Sequence, residues 1–191
     1  MPERINLIRG SVREFIAAWQ DPHAPLNSRP APFRESQQGN LNATGDAADY
    51  FAPVLTRHHP RFLDALEGGV RDLVLELIER LGCITYSSCQ GHPSLGPEVP
   101  MRERSVEVIA ERPVELEKIL IKVLNLASLT NKQIDTEIIK VLVSCTPLRS
   151  LDTCTLCVRL RFKNVLSQEM KYFQNIDSAY CTLIGILKSH F

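Results

Sequence analysis

The chain has no surplus of either charge: 22 basic and 22 acidic side chains cancel over 191 residues. A balanced protein exerts no long-range pull on nucleic acid or on anionic membranes. There is thus no strong nucleic-acid signal, and contact with RNA would need a local basic patch. Long apolar runs are also missing. The longest fall far short of the roughly 20 residues that a membrane-spanning helix needs, so no membrane partner is expected. The stretch Met1 to Trp19 has scattered charges and no continuous apolar segment, which argues against a secretory signal. Nor is this a small disulfide scaffold. Cys83, Cys89, Cys145, Cys154, Cys157 and Cys181 sit within otherwise apolar segments, a distribution expected of reduced thiols and a cytoplasmic address. Cys145 and Cys181 fall on apolar faces and are expected in the core.

What remains is an ordinary soluble composition, 44% hydrophobic and 23% charged, long enough for one domain with its own core. Residues 3–20 place Ile5, Ile8, Val12, Phe15, Ile16 and Trp19 at helical spacing, and Asp21-Pro22 ends the pattern. Residues 21–49 contain almost no large apolar groups and are rich in Pro, Asn, Gln, Ala, Gly and Ser. They read as an extended arm or linker that covers the body or reaches a second copy of the chain in a homo-oligomer. Residues 50–191 read as the main domain. Pro60 opens a helix carrying Phe62, Leu63, Leu66, Val70, Leu73, Val74, Leu77, Ile78 and Leu81 on one broad face, with Gly82 at the left-handed cap position and Gly68-Gly69 as a candidate break. Short strands follow at 83–86 and 105–110, then a helix from Pro113, β-branched strands at 137–145 and 154–162, and a final long helix. Two strand-strand-helix units in series predict an α+β fold, with one antiparallel or mixed sheet, helices packed on one face and N-terminal helices in front.

The polar cluster Thr85-Tyr86-Ser87-Ser88-Cys89-Gln90-Gly91-His92-Pro93 is the candidate site. An apolar interior has no use for so many polar groups, so a turn that presents them to a ligand is expected. Three chemistries are open. Cys89 can act as a nucleophile or redox thiol with His92 as its partner. Cys89 and His92 can ligate a metal, completed by Cys83 or by His58 and His59, but a zinc site needs a second, equally clear ligand pair; no metal is assigned. Finally, Ser87, Ser88, Gln90 and Gly91 can offer hydroxyls and backbone N–H groups to a phosphate or carboxylate, with Gly91 allowing close approach. A purely structural turn is the competing interpretation. The ligand expected is a small molecule or nucleotide; the competing class is a non-enzymatic oligomeric module assembled through the 21–49 arm.

Ser87-Ser88-Cys89-Gln90-Gly91, following a helix and a short strand, resembles the Ser-Ser-Cys-x-Gly motif of the tRNA wybutosine-synthesising methyltransferase of the third pathway step. That resemblance spans about forty residues, Val70 to Ala110, and implies an α+β fold, S-adenosylmethionine as cofactor and a modified guanosine in tRNA as substrate. Two features depart from the family: His92 stands where it has Arg, and the insert 93–100 intervenes. Elsewhere, Cys154 and Cys157 are three apart in a strand and so point to opposite faces, unsuited to one ion. His58-His59 stands at a helix entry. Arg102, Arg104, Arg159 and Arg161 can form a basic strip on the open sheet face, suited to a phosphorylated ligand or an RNA backbone.

Overall fold

The computed structural model describes residues 6–7, 11–23, 56–60, 62–149 and 154–191. Its elements are β1 (Asn6–Leu7), α1 (Val12–Gln20), α2 (Phe62–Ala65), α3 (Gly68–Leu81), β2 (Ile84–Cys89), β3 (Ser105–Ile109), α4 (Pro113–Gln133), β4 (Ile139–Arg149), β5 (Cys154–Asn164) and α5 (Glu169–His190). The predicted α+β order of helix, strand, strand, helix, strand, strand, helix holds from α3 to α5. No helix among the described residues is long and apolar enough to cross a membrane. The 21–49 arm lies outside the described residues beyond position 23.

One five-stranded sheet runs in the order β1-β4-β5-β3-β2. β2, β3, β5 and β4 pair antiparallel, and the two-residue β1 pairs parallel with β4. Strand alternation separates the faces. On one face Val106 pairs with Leu160, Val108 with Val158 and Val141 with Phe162. All six are buried, and α3, α4 and α5 pack against this side of the sheet. The final helix shows why: Tyr172, Ile176, Ala179, Tyr180, Leu183 and Leu187 recur at 3-and-4 spacing and are all buried. The other face carries Glu107 opposite Arg159 and Ser105 opposite Arg161. Part of it is covered, since Ile84, Ile109, Leu148 and Cys157 share one buried cluster with Val12, Phe15 and Trp19 of α1.

Four details differ from the sequence pattern. Strand β2 runs on through Ser87 and Ser88 to Cys89, paired with β3, so the expected turn at 85–93 begins only after Cys89. The N-terminal helix starts at Val12, not at residue 3, with Ser11 Oγ accepting from Glu14 N–H at its cap; Asn6–Leu7 pair with β4 instead. The helix expected from Pro60 to Leu81 is two helices, interrupted at Leu66–Glu67, with Gly68-Gly69 opening α3. Cys145 and Cys181 are exposed, not core. Cys145 lies opposite the fully buried Val158 in the β4-β5 ribbon, on the strand next to the two-residue β1 at the sheet edge. Cys181 sits beside the buried stripe of α5, on a helix whose solvent side begins one residue from Tyr180.

Candidate functional site

Helix α3 and strand β2 are matched in length. Fourteen helical residues rise about 21 Å and six strand residues span about 20 Å. Gly82, at φ +63°, provides the left-handed turn that sends the chain back. The end of β2 therefore returns to the start of α3, and the polar turn meets the residues of the helix interruption. Gly69 N–H donates to Gln90 Oε1 at 3.0 Å, and Gln90 N–H donates to Glu67 Oε2 at 2.8 Å. The break in the helix is what frees Glu67 to face the turn.

Three chemically active groups converge here. One donor atom each from Glu67, Cys89 and His92 lies within 4.8 Å of the other two. Glu67 Oε1 is 2.9 Å from His92 Nε2, and the Cys89 thiol is hydrogen-bonded to the same imidazole. His92 is 5% exposed, while Cys89 and Glu67 are half-buried. Burial alone would push the His92 pKa down. The contacts with Cys89 and Glu67 together outweigh it and raise the value from 6.5 to about 9. His92 is thus an imidazolium at neutral pH, held between a sulfur and a carboxylate.

The turn is fixed from several sides. His92 N–H donates to Arg102 C=O and Arg102 N–H donates back to His92 C=O, both at 2.9 Å. Gly91 has φ +88°, and a Cβ there would lie 3.1 Å from Arg104 N and 3.3 Å from Arg102 O, so the backbone pair closes only around glycine. Arg104 Nε donates to Gln90 C=O at 2.8 Å, its Nη2 donates to Asp177 at 2.8 Å, and its guanidinium lies 5.0 Å from the Tyr180 ring centroid. Tyr172 Oη accepts from Arg104 N–H at 2.8 Å and donates to Phe162 C=O at 2.9 Å. Burial holds the Tyr172 phenol well above its ordinary pKa. The sheet, α3 and α5 are all anchored to this one turn. A cleft of about 670 Å³ lined by Pro93, Glu169, Met170, Phe173 and Gln174 flanks it.

Of the predicted residues, Cys89 and His92 meet as a pair. Gln90 serves as a tie rather than a free ligand, its N–H, C=O and side-chain oxygen all engaged. Ser87 is exposed and Ser88 half-buried beside Cys89. Cys83 is at the opposite end of β2, donates to Leu77 C=O, and burial pushes its thiol pKa up to about 12, so it completes no site with Cys89. His58 and His59 are not part of the cluster. Arg104 is buried under the turn and leaves the expected basic strip, while Arg159 pairs with Glu107 and Arg161 with Glu103. Glu67 is the group that the sequence reading missed. Its one local mark, an acidic residue directly before Gly-Gly, does not by itself point to the turn.

Comparisons with protein-family models, with curated proteins and with solved structures return no match.

Proposed function

We propose that this protein is a small cytoplasmic enzyme whose reactive group is the Cys89 thiol, with His92 as its acid–base partner and Glu67 as the residue that orients and charges the imidazole. The observation that carries this reading is the convergence of Cys89, His92 and Glu67 within 4.8 Å. A nucleophile, a base and a group that orients the base are the parts needed for covalent catalysis by a thiol. In the step this arrangement supports, Cys89 attacks as a thiolate beside the His92 imidazolium, and its sulfur forms a bond to an electrophilic carbon of the substrate. The bond from that carbon to its leaving group breaks, and the leaving group takes the proton from His92 Nδ1, the ring nitrogen that Glu67 does not hold. Glu67 then faces a neutral imidazole that is ready to deprotonate the acceptor releasing the product, such as water.

We take a nucleotide or other phosphorylated small molecule as the substrate class, on the excess of one cation left on the face of β5 after its carboxylates are counted. Cys89, Ser105 and Arg161 are successive cross-strand neighbours, which puts Arg161 about 10 Å from Cys89 across two strand spacings. Arg159, Arg161 and Lys163 project from one face of β5 and face two carboxylates, Glu107 and Glu103. The Ser-Ser-Cys-x-Gly resemblance points to the same class and adds S-adenosylmethionine as a cofactor to try. Five free thiols among the described residues fit a reducing compartment.

Alkylation of the wild-type protein with iodoacetamide, read by peptide mass spectrometry, tests the reading. Cys89 is expected to react at least about tenfold faster than a free thiol at pH 7, and a bound nucleotide or S-adenosylmethionine is expected to slow it and raise the Tm. A Cys89 rate equal to that of free cysteine would remove the activated thiol.

A further inference from the structure

We infer that the Glu67–Cys89–His92 cluster is also a reversible zinc site, at which Zn²⁺ competes with the thiol's own reactions and so holds the enzyme off. This rests on the thiol reading above for the competition, though not for the binding itself. The geometry is the argument. A sulfur, an imidazole nitrogen and a carboxylate oxygen, all favoured zinc donors, already lie within 4.8 Å of one another. A tetrahedral ion with ligand distances of about 2.0–2.3 Å holds its donors about 3.3–3.8 Å apart. The 2.9 Å between Glu67 Oε1 and His92 Nε2 then opens by less than an ångström on binding.

The surroundings suit an ion as well. A zinc-bound carboxylate is normally held by a hydrogen bond from outside the coordination shell, and Gln90 N–H already donates to Glu67 Oε2 at 2.8 Å. His92 is fixed in place by its paired backbone bonds to Arg102. Three protein donors leave a fourth position for water, which marks an exchangeable site, not a structural one. The fold does not need the ion: its continuous apolar core extends from Val12 to Leu187 without it. Cys83, the nearest other thiol in sequence, is committed to Leu77 at the far end of β2, and among the described residues the cluster has three ligand groups. A metal bound to Cys89 occupies the lone pair that attacks substrate. Zinc and alkylation are therefore mutually exclusive at this sulfur.

The test uses the full-length protein and metal alone. Co²⁺ titration is expected to give a thiolate-to-metal charge-transfer band at one equivalent, and Zn²⁺ to bleach it. Glu67→Gln and His92→Gln are each expected to weaken Zn²⁺ binding by about tenfold to a hundredfold, and Cys89→Ala to abolish the band; circular dichroism confirms that each variant is folded. Saturating Zn²⁺ is expected to slow iodoacetamide labelling of Cys89 by at least about tenfold, with full recovery on adding a chelator. Absence of the band, or labelling indifferent to zinc, overturns the inference. If Cys89 labels fast without zinc and zinc changes nothing, the zinc site fails and the thiol reading stands. If zinc binds and slows labelling but Cys89 alone never labels faster than free cysteine, the zinc site stands and the thiol reading fails.

Discussion

Replacing Glu67 by Gln keeps the shape of the side chain and removes its charge, which isolates what the carboxylate does to His92. In the wild type, desolvation lowers the His92 pKa, but contacts with Cys89 and Glu67 raise it from 6.5 to about 9. That rise corresponds to about 3 kcal/mol of preference for the charged form in the folded protein. Glu67 acts through a 2.9 Å contact to His92 Nε2 with only 11% of its side chain exposed, and a charged hydrogen bond of this kind is worth about 1.5–3 kcal/mol. The His92 pKa in Glu67→Gln should therefore fall by at least about one unit. Because the folded-state value is raised, the stability it confers is fully present below 6.5 and is lost as pH rises through about 9. The variant should thus be about 2 kcal/mol less stable than wild type at pH 6, with the gap narrowing towards pH 10. NMR titration of the His92 ring and urea unfolding at both pH values measure the two effects. A His92 titration unchanged by the substitution, or a stability gap independent of pH, would refute the reasoning.

Other consequences can be checked singly. Gly69→Ala places a Cβ 2.9 Å from Gln90 Cβ and 3.0 Å from Arg104 Nη2; the turn must shift, and Cys89 labelling should change although no reactive group has been touched. Tyr172→Phe removes a buried hydroxyl that serves both Arg104 N–H and Phe162 C=O, at a cost of about 2 kcal/mol by chemical denaturation. Leu183→Ala, at a fully buried position of α5, should cost about 2–5 kcal/mol. In a thiol-counting assay with Ellman's reagent, exposed Cys145 and Cys181 should react in the native state, whereas buried Cys83 and Cys157 should wait for unfolding.

The helices and strands of the body were legible because their apolar periodicity is strong: Ile176, Tyr180, Leu183 and Leu187 along the final helix, and Val158, Leu160 and Phe162 along β5, follow the expected spacing and are buried. Leu166, Met170 and Leu156, which extend the same patterns, are exposed. The polar turn was legible because Ser-Ser-Cys-Gln-Gly-His has no use in a core. Glu67 was not, since its role comes from a tertiary coincidence, the equal length of α3 and β2, which no local pattern carries. The exposure of Cys145 was hidden for a similar reason. Alternation tells which face a residue takes, not how fully that face is covered at each position. Arg104 read as one more strand cation; only the fold shows it buried beneath the turn, with Tyr180 against its guanidinium.

The central claim is that Cys89, His92 and Glu67 work as one unit, and the pH profile of Cys89 alkylation in wild type and in His92→Gln tests it most directly. The account predicts a wild-type rate at pH 7 at least about tenfold above that of free cysteine, collapsing to the free-cysteine profile once the imidazole is gone. Identical profiles for the two proteins would contradict it.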